Sequence, residues 1–184
     1  MLIYDNHLYK IKSSDFSNKI VVFDRDDTII SDPLNNKEKN ALIWNKGALN
    51  LMSKIQNTHK CWLAIISNQA RIHDRSQSIR DLEFITQQIF LETFKNKIFL
   101  SYVLYCPHSR EQTTRCGCRK PDVGMLEFLR NRIDIPLNNF IFVGNAESDK
   151  QAAFNFNIKF IRYNNEFSTI GNRIDSFFSG MSSL

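Results

Sequence analysis

The sequence predicts an α/β fold: a Rossmann-like parallel sheet flanked by helices, with no large cap domain. Apolar runs of strand length recur at residues 20–23, 61–66, 101–105, 140–143 and 158–161, and helical patterns lie between most of them. Strands alternating with helices build a parallel sheet, because each crossover returns the chain to the same edge. Polar groups also gather directly after several runs, where an open parallel sheet places its ligands.

Residues 1–19 form an N-terminal arm, and LIYDNHLYKI reads either as a hairpin turning at Asp5-Asn6 or as a loosely held segment. Residues 20–184 make the main domain. The first helix carries Ala48, Leu51, Met52 and Ile55 on one face; the second covers 76–94 with the stripe Ile79, Leu82, Ile85 and Ile89. Pro121 suits the first turn of a helix containing Met125, Leu126 and Leu129. Ser148 with Gln151 reads as a capping box opening the helix through Ala152 and Ala153. The connections after Asp24 and before Lys120 have room only for loops, which is why no large cap is expected.

The 184 residues, 42% hydrophobic, suffice for one domain with a substantial core. The longest apolar run, Cys61 to Ile66, is far shorter than the roughly 20 residues of a membrane span, and the polar start lacks a signal sequence. A soluble, cytoplasmic protein with no membrane partner is expected. The net charge of +5 favours anionic partners without choosing among metabolites, nucleic acid and acidic proteins. Cys61, inside an apolar run, reads as core. His7, His59 and His73 read as surface or packing residues, and Trp44 and Trp62 as core or rim.

The strand ends deliver Asp24 and Asp26, then Ser67, Asn68 and Gln69, then Arg119 and Lys120, then Asn145, Glu147 and Asp149. That set suits phosphoryl transfer. One carboxylate can attack phosphorus, a second can protonate the leaving oxygen, and cationic and hydroxyl groups can hold the equatorial oxygens. Attack by an anion on an anion calls for a cation, and Mg2+ prefers oxygen ligands.

These residues resemble the haloacid dehalogenase superfamily of phosphatases: D-x-D-x-T as Asp24-Arg25-Asp26-Asp27-Thr28, then Ser67-Asn68-Gln69, Arg119-Lys120-Pro121 and GNAESD from Gly144 to Asp149. The resemblance covers roughly residues 20–162, in order. It implies that Asp24 is the nucleophile, Asp26 the general acid and then base, Ser67 a donor to the phosphoryl group, and Lys120 the counter-charge. It implies magnesium on Asp24, the Asp26 carbonyl and Asn145, with Asp149 behind them and Thr28, Asn68 and Arg119 toward substrate. Two positions depart from the pattern. Asp27 stands where glycine is usual, and Asn145 where an aspartate binds the metal; the amide removes one negative charge, for which Asp149 and Glu147 could compensate through bound water.

Cys106, His108, Cys116 and Cys118 offer three thiolates and an imidazole, the donors of a closed structural Zn2+ site. A redox disulfide and inert thiols are the alternatives. The C-P-H and C-x-C-R-K-P spacing narrows the resemblance to the branch holding heptose bisphosphate and histidinol-phosphate phosphatases. It implies a zinc-braced loop that fixes Arg119 and Lys120, with Arg110 and Arg115 making the loop basic and Arg119 meeting a second phosphate. The expected activity is a magnesium-dependent phosphomonoesterase acting on a small sugar phosphate such as a heptose 1,7-bisphosphate. FDRDDT, SNQ and RKPDVGM also resemble polynucleotide 3'-phosphatases, so a nucleic-acid substrate is the second reading. A catalytically weakened binding or scaffold protein, motivated by Asp27 and Asn145, is the third. The sequence leaves oligomeric state open.

Overall fold

A computed structural model describes residues 1–6, 15–31, 42–109, 111 and 116–180. In chain order its elements are β1 (Leu2–Asp5), β2 (Ile20–Asp24), α1 (Ala48–His59), β3 (Trp62–Asn68), α2 (Ile79–Lys95), β4 (Leu100–Cys106), α3 (Gly124–Ile133), β5 (Phe140–Gly144), α4 (Glu147–Asn155), β6 (Lys159–Arg162) and α5 (Phe167–Gly180). Six strands form one sheet in the order β1-β4-β3-β2-β5-β6. Each predicted core strand is present. The sheet is parallel except at one edge, where β1 runs antiparallel to β4, Leu2 facing Tyr105 and Asp5 facing Tyr102. The arm thus begins as an edge strand; a second limb of the expected hairpin, with His7, lies outside the described residues.

Every residue of β2 is buried, as both faces of a central parallel strand must be. Alternate side chains serve two cores. Val21 and Phe23 join Met52 and Ile55 of α1, Leu82, Ile85 and Ile89 of α2, and Ile170, Ile174 and Phe178 of α5. Ile20 and Val22 point the other way, among Met125, Leu126 and Leu129 of α3 and Ala152 and Ala153 of α4. Cys61 is fully buried in the first core. No helix among the described residues is long and apolar enough to cross a membrane.

Three local expectations change. Helix α2 begins after Ser78, whose hydroxyl accepts the Asp81 N–H at 3.1 Å while Asp81 accepts the Ser78 N–H at 3.2 Å. Ile79 therefore sits in the first turn, 48% exposed, and leaves the apolar stripe to the residues further in. Helix α3 starts at Gly124; Pro121 precedes it, in a cis peptide with Lys120, because the chain first turns at Asp122, whose N–H reaches the Arg119 carbonyl. At α4 the cap is Ala146, not Ser148: Asp149 accepts the Ala146 N–H at 3.0 Å and supplies the interaction assigned to the Ser148–Gln151 pair.

From β2 the chain builds outward through β3 and β4, then returns to place β5 on the other side of β2. The strand order reverses between β2 and β5, and a crevice opens outside the carboxyl ends at such a point. Asp24 ends one of these strands and Asn145 follows the other.

Candidate active site

Asp24 ends β2 and is only 6% exposed. Lys120 Nζ binds Asp24 Oδ1 directly and lies 2.7 Å from Asp149 Oδ1, so one buried cation from the loop before α3 joins the end of β2 to the first turn of α4. The Thr28 hydroxyl donates to Asp24 Oδ2 at 3.3 Å. Burial pushes the Asp24 carboxyl up to about 7; Lys120 opposes the rise, and Asp149 and Asp26 add to it. Burial would also neutralise Lys120, but Asp24 and Asp149 overcome it and hold the ammonium above its ordinary value.

Asp26 is turned outward. Its Oδ1 takes Arg25 Nε at 2.8 Å, while Oδ2 receives Gln69 Nε2 at 2.6 Å, Arg25 Nη2 at 3.1 Å and the Ser67 hydroxyl at 3.4 Å. It borders a cavity of about 510 Å³ with Asn68, Gln69, Arg71, Asp74 and Arg119. Asp27 adopts φ 53° in the tight turn where the Arg25 carbonyl accepts the N–H groups of Thr28, Ile29 and Ile30. The residue is exposed rather than crowding the strand end.

Some expected substrate contacts are otherwise engaged. Thr28 is fully buried and braces Asp24. Both polar ends of Asn68 close on the Lys120 backbone at 3.0 Å, a pair of bonds that fixes the lysine across 52 positions of sequence. Arg119 does border the cavity, with Nη1 donating to the His108 carbonyl at 2.8 Å. Asp149 is fully buried against Lys120 rather than acting at a distance. Glu147 pairs with Arg162 at 2.7 Å on the surface, its side chain 71% exposed, so it is not part of this cluster. Asn145 stands at the β5 end, its carbonyl accepting Arg162 Nη1 at 2.7 Å.

The cysteine loop brings its four donors together: Cys106, His108, Cys116 and Cys118 offer ligand atoms all within 4.8 Å of one another and could hold a metal ion. Arg110 and Arg115 lie outside the described residues. Arg25 is the main feature the motifs did not disclose. The motif assigns it no role, yet the side chain is 1% exposed. Gly144 opens the fourth motif, but the motif gave no reason for a glycine. A Cβ there would lie 2.7 Å from Asp149 Cγ, so the missing side chain is what lets Asp149 reach Lys120.

The family described as polynucleotide kinase 3 phosphatase matches residues 19–172, most of the chain. The chain belongs to that family. Among relatives of this chain, the histidine biosynthesis bifunctional protein HisB of Buchnera aphidicola subsp. Acyrthosiphon pisum is 32% identical over 152 residues, which cover 79% of this chain but 41% of HisB. The chain thus spans less than half the length of that relative. D-glycero-beta-D-manno-heptose-1,7-bisphosphate 7-phosphatase of Helicobacter pylori is 29% identical over 145 residues, covering 78% of this chain and 82% of that protein. Among solved structures, D,D-heptose 1,7-bisphosphate phosphatase from B. bronchiseptica, complexed with magnesium and phosphate, matches with a TM-score of 0.68 and 21% identity over 78% of each chain, a likeness of fold. Heptose bisphosphate phosphatases, named from the cysteine loop, thus recur among the proteins this chain resembles.

Proposed function

We propose that the protein is a magnesium-dependent phosphomonoesterase that forms an aspartyl-phosphate on Asp24. The observation that carries this reading is the buried Lys120 ammonium shared by Asp24 and Asp149, with Asp26 on the cavity side. Asp24 attacks phosphorus as the ester P–O bond breaks, and the leaving oxygen takes the Asp26 proton. Asp26 then accepts a proton from water, which attacks the phosphoryl group and frees inorganic phosphate and Asp24. Lys120 keeps the nucleophile oriented and offsets its charge, while Ser67 turns from Asp26 toward the phosphoryl oxygens. Thr28 and Asn68 act one step back, on Asp24 and on the Lys120 backbone.

The donor set suits magnesium. Asp24, the Asp26 carbonyl and the Asn145 amide would supply oxygen ligands, and a divalent cation would favour the charged form of the Asp24 carboxyl, which burial raises despite Lys120. When bound, the ion would neutralise charge on the nucleophile and the transferring group. The cysteine loop suits zinc. A tetrahedron with sulfur about 2.3 Å and nitrogen about 2.0 Å from the ion has edges of about 3.8 Å between sulfurs and about 3.5 Å from sulfur to nitrogen. Sulfur–sulfur distances here are 3.8 and 3.7 Å, and sulfur–nitrogen distances 3.5 and 3.4 Å. Four protein donors close such a site, so its work is to brace the loop before Arg119 and Lys120. Four free cysteines also suit a reducing, cytoplasmic setting.

A sugar phosphate is the proposed substrate class, with a heptose 1,7-bisphosphate first: Arg119, on the cavity wall, would meet its second phosphate. Histidinol phosphate is the near alternative, given the HisB relative. The family description and the charge of +5 favour a 3'-phosphorylated nucleic-acid end as the second reading. Phosphate release should be measured over a heptose bisphosphate, histidinol phosphate and a 3'-phosphorylated oligonucleotide, with Asp24→Asn as the blank. Release equal in wild type and blank would remove Asp24 as nucleophile; salt-sensitive activity confined to the oligonucleotide would replace the sugar reading.

A further inference from the structure

We infer that Arg25 is a positioning residue that fixes the Asp26 carboxylate for proton transfer, itself held in place by Tyr105. The inference rests on the phosphomonoesterase reading above. Arg25 is 1% exposed, and a buried guanidinium calls for partners that meet its charge; Nε and Nη2 have them, while the buried Nη1 has no hydrogen-bond partner. Its fork meets both oxygens of the adjacent carboxylate, Nε on Oδ1 at 2.8 Å and Nη2 on Oδ2 at 3.1 Å.

Neighbours on an extended strand point to opposite faces. The pair meets because the backbone turns at Arg25, whose carbonyl accepts three successive N–H groups. The guanidinium carbon lies 5.1 Å from the centre of the Tyr105 ring. That ring is fully buried and anchored in turn: Thr86 gives its hydroxyl proton to the Leu82 carbonyl at 2.7 Å, so the Tyr105 hydroxyl donates to Thr86 at 3.0 Å. A continuous line of contacts therefore runs from α2 through β4 and Arg25 to Asp26.

The two Asp26 oxygens end up unlike each other. Oδ2 receives Arg25, Gln69 and Ser67, whereas Oδ1 receives Arg25 alone and keeps more of its accepting capacity. A general acid must come within about 3 Å of the leaving oxygen, and an error of about 1 Å can cost on the order of a hundredfold in rate. Gln69 and Ser67 set the direction of one oxygen, and the Arg25 fork sets the plane of the carboxylate.

Two esters that differ in their need for a proton test this. An alkyl phosphate must have its leaving oxygen protonated; an aryl phosphate with a nitro group leaves as a stable anion. The value of kcat/KM reports phosphoryl transfer to Asp24 in each case, and the alkyl-to-aryl ratio from one preparation does not depend on the folded fraction. Arg25→Met should lower that ratio by about tenfold or more. Arg25→Lys, which keeps the charge but not the fork, should restore part of it. Equal losses on both esters, or a ratio unchanged in both variants, would overturn the positioning role while leaving the phosphatase reading intact. A wild type that releases phosphate neither from these esters nor from the three phosphates named above would bring down that reading and this inference with it.

Discussion

Lys120→Met preserves much of the side-chain volume but deletes the cation between Asp24 and Asp149. Side-chain exposures of 3% for Lys120, 9% for Asp24 and 0% for Asp149 leave little room for water to substitute. Removing one partner of a buried ion pair costs about 3–5 kcal/mol, and here two carboxylates lose the same partner. The loss depends on pH. In the wild type, burial has pushed Asp24 from 3.8 to about 7 against the pull of Lys120. Between those values the folded state holds a proton that the unfolded state has released, so this group's contribution falls as pH rises toward about 7. Without Lys120 the downward pull vanishes and the falling window extends further up. Urea unfolding near pH 8 and near pH 6, without added magnesium, should therefore show a deficit of about 3–5 kcal/mol at the higher pH and at least about 1 kcal/mol less at the lower. A deficit below about 1 kcal/mol near pH 8, or a larger one near pH 6, would refute the buried-cation account.

Gly144→Ala would set a Cβ 2.7 and 2.8 Å from Asp149 Cγ and Cβ; thermal unfolding should show a loss of about 1–3 kcal/mol, and phosphatase activity should fall as Lys120 loses its partner. Cys118→Ser should take bound zinc from about one ion per chain to near none by metal analysis, with a lower melting temperature; full zinc content would remove Cys118 from the ligand set. Asn145→Asp should lower the magnesium concentration for half-maximal activity by about tenfold, and an unchanged titration would mean that Asn145 does not ligate the ion. Asp27→Gly, at φ 53°, should raise stability by about 0.5–1 kcal/mol in chemical denaturation, since glycine enters the left-handed region without a Cβ clash.

The chain's apolar periodicity was enough to give the central strands, the helices between them and the order in which chemical groups leave the sheet. Each follows from local spacing: β2 reads as a buried strand because residues 20–23 are an unbroken apolar run, and the cysteine loop reads as a metal site because its donors are close in sequence. Tertiary structure decided what lies between distant groups. No local pattern could show that Asn68 holds the backbone of Lys120, that Asp149 is buried against the same lysine, or that Gly144 is bare to admit it. Arg25 shows the limit most clearly. The motif around it says nothing of its surroundings, and only the packing of Tyr105 and the turn after β2 bury it, since burial is a property of what other segments place around a residue.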